Sequence, residues 1–381
     1  MFVLEALRAK HGDALLIHYG TAKSPRLAVI DGGPPGVYAD ALAPRLKEIR
    51  QERGLADGDP LPLDLMMVSH LDADHIAGVL DLMRKLRDLK QSKRPLPWKP
   101  ARFWHNAFDD LTGDTAASAP SPAALSPASL GDLLSAPGSS LLASVGQGRE
   151  LRDLVTFFRL DGNPPFKGLV GYPHKPNPLK LDGLELTVLG PNGANVTALR
   201  ADWAKKIKPL LKKAGKAAKA ELAEFVDTSV YNLSSIVVLA KADGKTMLLT
   251  GDARGDFTLD ALRGLGLLKK SKPLEIDLLK MPHHGSDRDV DPSFFESLRA
   301  KHYVISADGK FSNPDIPTLK MISDARPDDD FTIWLANAPG DFSDHAVGKE
   351  VAKFFAAETK RKRKYKVVFR ESGALSVRVA L

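Results

Sequence analysis

The segment Ser69-His70-Leu71-Asp72-Ala73-Asp74-His75 constrains this chain more than any other stretch. It follows Leu63 to Val68, whose composition predicts a buried strand. It precedes Ile76 to Leu89, whose apolar spacing predicts an amphipathic helix. Four side chains able to bind a metal, His70, Asp72, Asp74 and His75, are thereby confined to one tight turn at a strand end. The alternation at 70, 72 and 74 sends three of them in related directions, while His75 reaches the other way. Ionisable groups left unpaired beside an apolar strand are costly. A turn of this kind suits two divalent ions about 3.5–4 Å apart. The competing reading is a polar loop whose carboxylates cap the following helix.

Other predicted strands end in the same way. Lys245 to Leu249 runs into Thr250-Gly251-Asp252, which places a carboxylate where it could bridge two cations. Leu278 to Met281 runs into Pro282-His283-His284-Gly285-Ser286. Asp31, in Val29-Ile30-Asp31-Gly32-Gly33, either orients a histidine ligand from behind or holds a turn. Asp13 belongs with His11 to the first turn and has the same supporting role open to it. Ser286 either binds a substrate phosphate or caps the helix expected from Asp289. Each feature alone is weak, and together they support one another. The chain has no cysteine, which excludes a disulfide scaffold, a structural zinc finger and a thiol nucleophile, so any metal must be held by His, Asp or Glu. No Gly-x-Ser-x-Gly elbow is present.

Strands alternate with helices along most of the 381 residues, which predicts an α/β protein. Expected helices lie at about 38–53, 147–158 and 346–358, and the chain closes with two strands around Glu371-Ser372-Gly373, read as a hairpin. Between Thr112 and Ser140, 21 of 29 residues are Ala, Ser, Pro or Gly, a composition that cannot bury enough apolar surface to order itself. The longest apolar runs are far too short to span a membrane. The N-terminal stretch carries Glu5 and no cleavage site, so a cytoplasmic protein without a signal peptide is expected. The formal net charge of +7 is concentrated in a Lys- and Ala-rich helical segment at about 198–226 and in the run Lys360, Arg361, Lys362, Arg363, Lys364, Tyr365, Lys366. Both have a bland reading, as a solvated helix and a charge-protected strand edge, and the terminal run could also lie along a polyanion.

Taken in order, Gly12-Asp13-Ala14, Ile30-Asp31-Gly32-Gly33, Ser69-His70-x-Asp72-x-Asp74-His75-Ile76-x-Gly78, Asn232-x-Ser234-Ser235, Leu248-Leu249-Thr250-Gly251-Asp252 and His283-His284-Gly285-Ser286 resemble the metallo-β-lactamase-fold hydrolases. They are most similar to the soluble hydrolase domain of ComEC-type DNA-uptake proteins and its standalone relatives. The resemblance spans about residues 1–320. It implies a four-layer αββα sandwich over residues 1–345 with an insertion at about 106–182, followed by a C-terminal helix and basic hairpin at 346–381. It also implies that His70 and Asp72 hold one metal, that Asp74, His75 and either His283 or His284 hold the other, and that Asp252 bridges. Asp72 stands where most of the superfamily has His, as in the ComEC-type branch. A harder oxygen ligand shifts the preference from Zn²⁺ towards Mn²⁺ or Fe²⁺. Asn232 stands where most members supply a third histidine to the first metal, which leaves one or two ions open. His105 is either a replacement for that ligand or a structural histidine.

The implied activity is metal-dependent hydrolysis with Asp74, His70 and Asp252 at its centre, directed at a phosphodiester and so at a nucleic acid. Two rivals are a lactonase, thioesterase or β-lactamase-like hydrolase using the same residues, and a non-catalytic regulatory protein with a degenerate metal site.

Overall fold

The computed structural model of the protein describes residues 1–107, 111, 139–202 and 234–381. Asn232, most of the 112–140 segment and most of the basic 198–226 segment lie outside the described residues.

The first sheet grows from local pairing. Strands β1 (Val3–Leu7), β2 (Leu15–Thr21) and β3 (Ser24–Ile30) form an antiparallel meander, with Lys10 at positive φ in the first turn. Helix α1 (Ala43–Glu52) leads to β4 (Leu61–Leu63) and β5 (Leu65–Met67), and helix α2 (Ala73–Gln91) leads to β6 (Trp98–Pro100) and β7 (Phe103–Trp104). These two crossovers make β3, β5 and β7 parallel neighbours. The expected single strand from Leu63 to Val68 is broken at Asp64. Its carboxylate accepts hydrogen bonds from the Leu27 amide at 3.0 Å and from Arg26 at 2.6 Å. That leaves β4 to pair only with β6 in a separate ribbon.

Helix α3 (Ser139–Phe157), β8 (Leu179–Leu181), β9 (Leu184–Gly190) and helix α4 (Gly193–Asp202) precede the second sheet's central strands, β10 (Val237–Ala242) and β11 (Lys245–Leu249). Asp243 and Gly244 join β10 to β11 with both φ angles positive, the backbone a two-residue hairpin needs. From β11 onwards each strand is parallel to the last. α5 (Gly255–Gly264) leads to β12 (Leu274–Lys280), α6 (Pro292–Ser297) to β13 (Leu298–Ile305), α7 (Ile316–Ala325) to β14 (Thr332–Leu335) and α8 (His345–Lys360) to β15 (Lys366–Phe369). With β16 (Ser376–Ala380) added, the sheets read β16-β1-β2-β3-β5-β7 and β15-β14-β13-β12-β11-β10-β9-β8.

Three apolar cores follow. One joins the six-stranded sheet to α1, α2 and α3 through residues such as Leu16, Val29, Leu46, Leu80 and Leu151. A second lies between the sheets, where Leu4, Ile17 and Ala28 meet Leu186, Val238 and Leu249. A third joins the eight-stranded sheet to α5, α6, α7 and α8 through Leu262, Phe294, Leu319 and Phe355. Three cores separate four layers, so the chain has the αββα sandwich that the resemblance implies.

The expected C-terminal hairpin is not formed. β15 extends the eight-stranded sheet, whereas β16 (Ser376–Ala380) pairs antiparallel with β1 in the other. Buried Arg370 holds the crossing between sheets, donating to the carbonyl oxygens of Ala336 at 2.9 Å and Glu371 at 2.7 Å. The basic run is likewise not a strand. Lys360 ends α8, Arg361 pairs with Glu358, Arg363 pairs with Asp324 at 3.0 Å, and only Lys366 enters β15. Half-buried Tyr365 is stacked on Phe331 at 4.8 Å.

Candidate metal centre

Parallel strands in an α/β fold deliver loops at their carboxyl ends, the usual place for a ligand. Five such ends meet here. β3 ends at Asp31, β5 at Ser69 and His70, β11 at Asp252, β12 at His283 and His284, and β13 at Ser306. α2 approaches this end so closely that a Cβ on Gly32 would lie 2.2 Å from the Val79 nitrogen, and one on Gly12 would lie 1.9 Å from the Asp74 carbonyl oxygen. Only glycine allows those two backbones to press the turn at 70–75 into the cluster.

Asp252 sits at the centre. Four imidazole Nε2 atoms surround its carboxylate: His70 at 3.6 Å, His75 at 3.3 Å, His284 at 3.7 Å and His283 at 3.8 Å. Each ring is fixed through its other nitrogen. His75 Nδ1 donates to Asp31 Oδ2 at 2.9 Å, His284 Nδ1 to the Ser306 carbonyl at 3.0 Å, and His283 Nδ1 to Asp289. Ser69 spends its hydroxyl proton on Asp31 Oδ2 at 2.7 Å, which leaves its oxygen to accept from His70 Nδ1 at 3.1 Å. With Nδ1 donating in all four rings, a neutral ring turns an Nε2 lone pair towards the centre.

Two groups of these side chains could each hold a metal ion. Asp13, His75, Asp252 and His284 each offer one atom within 4.8 Å of the others, and so do His70, Asp74 and His75. Asp13 Oδ1, Asp74 Oδ1 and Asp252 Oδ1 are buried without a hydrogen-bond partner. His75 Nε2 and His284 Nε2 lie 3.2 Å apart, a separation that needs a proton or a metal ion between two nitrogens. The electrostatics point the same way. Burial would push the Asp252 carboxyl up, yet the surrounding histidines hold it well below the usual carboxylate range. Burial would lower His284, but Asp252 and Asp13 raise it to about 10. His75 is likewise raised, against burial, by Asp252, Asp74 and Asp31. His70 falls to about 4, through burial and the neighbouring His75. The carboxylates thus favour positive charge at their centre.

The two histidines that sequence alone could not separate differ in position. His284 is buried inside the donor group, while His283 is partly exposed at its edge. Both hold positive φ, as does Asp31, conformations that cost a non-glycine residue of order 1–3 kcal/mol and collect at functional sites. Asp72 caps α2, its Oδ1 accepting from the Ala73 amide at 2.8 Å, and lies outside the converging donor atoms. Burial and the nearby Asp74 charge push its carboxyl up to about 7. Ser286 does not cap the next helix; Asp291 does, accepting from the Phe294 amide at 3.1 Å. His105 is buried beside Phe103, with neither ring nitrogen hydrogen-bonded, and is not among the converging donors.

Sequence reading missed Lys280. Its side chain is fully buried at the end of β12, with Nζ 2.6 Å from Asp13 Oδ2 and donating to the Met281 carbonyl at 2.9 Å. Asp13 Oδ1 in turn lies 3.5 Å from His284 Nδ1. A lysine next to a double histidine carries no pattern of its own, and only the fold brings Asp13 across from the other sheet. Asp289, read as the start of a helix, was missed as the partner of His283.

No protein-family model matches the chain, and no curated protein matches it. Among solved structures it is similar to a mutant of CmlA beta-hydroxylase, at 10% identity and a TM-score of 0.37. The match covers all of this chain and 54% of that one, so the chain spans about half its length. No helix among the described residues is long and apolar enough to cross a membrane.

Proposed function

We propose that this chain is a metal-dependent hydrolase acting on phosphodiesters. The observation that carries the reading is the ring of four Nε2 atoms around Asp252, each fixed from behind by a separate partner. His75, His284 and Asp252, with Asp13 or Asp74 beside them, would hold one divalent cation, and His70 with Asp74 would contribute to a second. The mixed nitrogen and oxygen set suits Zn²⁺, Mn²⁺ or Fe²⁺, with the number of aspartates favouring the harder ions. Such cations, when bound, lower the pKa of water and neutralise charge on a phosphoryl oxygen.

The chain's own residues do the rest. Asp74 Oδ2 lies 3.4 Å from His284 Nε2, and its other oxygen, 3.9 Å from His75 Nε2, accepts no hydrogen bond, so it would be able to orient the attacking water and accept its proton. Asp31 and the Ser306 carbonyl keep His75 and His284 in the tautomer that leaves Nε2 available. His283, at the solvent edge with Nδ1 held by Asp289, is placed to hand a proton to the departing alkoxide. Exposed Lys360, Lys362 and Lys364 would offer long-range attraction to a nucleic acid.

Purified protein should be assayed for metal content, and for cleavage of DNA, RNA, bis(p-nitrophenyl) phosphate and a lactone, with Mn²⁺ or Zn²⁺. The expected result is phosphodiester cleavage that chelation and Asp74→Ala both abolish. Cleavage of the lactone alone would replace the phosphodiester reading with the lactonase one. Unchanged activity in Asp74→Ala would overturn the assignment of the site.

A further inference from the structure

One ring on the surface stands apart. Phe311 is 63% exposed, whereas the other exposed large apolar side chains among the described residues, Met1, Phe157 and Leu267, reach only 38–40%. A single exposed apolar side chain needs no explanation in itself. Phe311, however, is held in place. Its ring meets His11 edge to face at 5.2 Å, and Lys310 Nζ lies over it, 5.0 Å from the centroid and 3.5 Å from His11 Nε2. The turn beneath is closed twice, by the Ser312 amide on the Gly309 carbonyl at 2.9 Å and by the Gly309 amide on the Asn313 carbonyl at 3.0 Å. Gly309 and Ser312 both take positive φ there. The ring is a fixed platform, not a loose side chain.

It is also beside the metal centre. His11 precedes Gly12 and Asp13, the residues packed directly on Asp74, whose carbonyl accepts from the Asp13 amide at 3.2 Å. On the other side, Asn313 Nδ2 donates to the His283 carbonyl at 3.3 Å. The loop carrying Phe311 therefore bridges the His11–Asp13 turn, which packs on Asp74, and the turn that presents His283. Among the described residues Lys310 makes no ion pair, so its charge is free for a ligand.

We propose that Phe311, Lys310 and His11 form a docking lip for a nucleotide, with the base stacked on Phe311 and the adjoining phosphate facing Lys310 and His11 at the mouth of the metal centre. This deepens the phosphodiesterase reading and rests on it for turnover, though not for binding. The chemistry is general: a flat base stacks on an aromatic ring whatever its sequence identity, and an ammonium beside that ring neutralises the attached phosphate. The lip therefore selects nucleotides over alkyl phosphates without selecting one base.

Two measurements on the metal-loaded, full-length protein test it. In calorimetric titration, adenosine 5′-monophosphate should bind about tenfold more tightly than ribose 5-phosphate, a factor at the lower end of base–aromatic stacking. Phe311→Ala should erase that difference, and Phe311→Tyr should restore it. In turnover, Phe311→Ala should raise the KM for thymidine 5′-(p-nitrophenyl) phosphate by a similar factor, leave kcat unchanged, and leave methyl p-nitrophenyl phosphate unaffected. Equal binding of both ligands by the wild type, or a preference that survives in Phe311→Ala, overturns the lip even if phosphodiesters are cleaved. A preference that Phe311→Ala removes in a protein that cleaves no phosphodiester sustains the lip and overturns the phosphodiesterase reading instead.

Discussion

Among the described residues, two of the clusters of buried charge are built on opposite principles. Around Glu5, an anion and a cation meet fork to fork. Arg45 Nε donates to Glu5 Oε2 at 2.8 Å and Nη2 to Oε1 at 2.9 Å, while Nη1 reaches Glu48 at 2.8 Å and Glu52 at 2.6 Å. Both oxygens of the buried carboxylate are satisfied. At the metal centre, Asp13, Asp74 and Asp252 each keep one oxygen with no hydrogen-bond partner, and the nitrogens facing Asp252 are imidazoles fixed from behind. Burying charge is tolerable when the partners finish the job and costly when they do not. The first cluster is complete as protein. The second leaves carboxylate oxygens that could take up cations, with the buried ammonium of Lys280 the one lysine cation against them among the described residues.

The sharpest way to break this contrast is to neutralise one acid in each cluster. Asp252→Asn should lower chelator-sensitive hydrolysis by on the order of 10³-fold, the upper range for removing one preorganised electrostatic group. Asp252 is also the charge that most raises His75 and His284, so in the metal-free variant both rings should titrate at lower pH than in the metal-free wild type, read from their ring ¹⁵N shifts. Undiminished hydrolysis in that variant would mean that Asp252 is a structural anion like Glu5.

Glu5→Gln should do the reverse. Breaking a buried pair costs about 3 kcal/mol, readable as a lower denaturation midpoint, while metal content stays at the wild-type level. The pH dependence gives an independent reading. Burial alone would raise the Glu5 carboxyl, but hydrogen bonds and charge from His18 and Arg45 outweigh it and hold it at about 2, against an ordinary 4.5. A carboxyl depressed on folding contributes stability that is fully present above pH 4.5 and is lost as pH falls towards 2. Glu5→Gln should therefore flatten the acid limb of the stability profile over that window. A profile as steep as that of the wild type would remove Glu5 from the account.

The two clusters were not equally legible in the sequence. The candidate metal centre was legible because its potential donors crowd at strand ends: His70 to His75 within one turn, Asp252 after Leu249, and His283-His284 after Met281. Those spacings are local, and strand-end placement followed from apolar runs that the fold preserves. Alternation of strands and helices likewise gave the α/β class. What local pattern could not carry was pairing at a distance. Glu5 with Arg45, and Asp13 with Lys280, join elements that only the folded sheets bring together. The final two strands failed for the same reason. The turn at Glu371-Ser372-Gly373 is a good hairpin signal, yet β14 and β1 each offered an open edge, and the chain uses the turn to cross from one sheet to the other. The basic run misled differently, since its charges gave no sign that Arg361 and Arg363 would fold back onto Glu358 and Asp324.

The finest test of the contrast lies on the boundary between the two kinds of cluster, at Asp31. It is as well satisfied as Glu5, accepting from the Ser69 amide at 2.7 Å, the Ser69 hydroxyl at 2.7 Å and His75 Nδ1 at 2.9 Å, yet one of those donors is a ring of the candidate metal centre. Asp31→Asn keeps size and shape. The Ser69 amide obliges the new carbonyl oxygen to take the Oδ1 position, so the new NH₂ faces His75 Nδ1. A donor there forces Nδ1 to accept and moves the ring proton to Nε2, where it blocks the lone pair turned towards Asp252. The expected loss is about 10–100-fold in affinity for Mn²⁺ or Zn²⁺, the range for groups that orient a metal's histidine ligand. The relocated proton should appear in the ¹⁵N spectrum of the His75 ring, with little change in melting temperature. If affinity holds while the melting temperature falls, Asp31 belongs with Glu5 as a structural anion, and the orientation of His75 comes from packing alone.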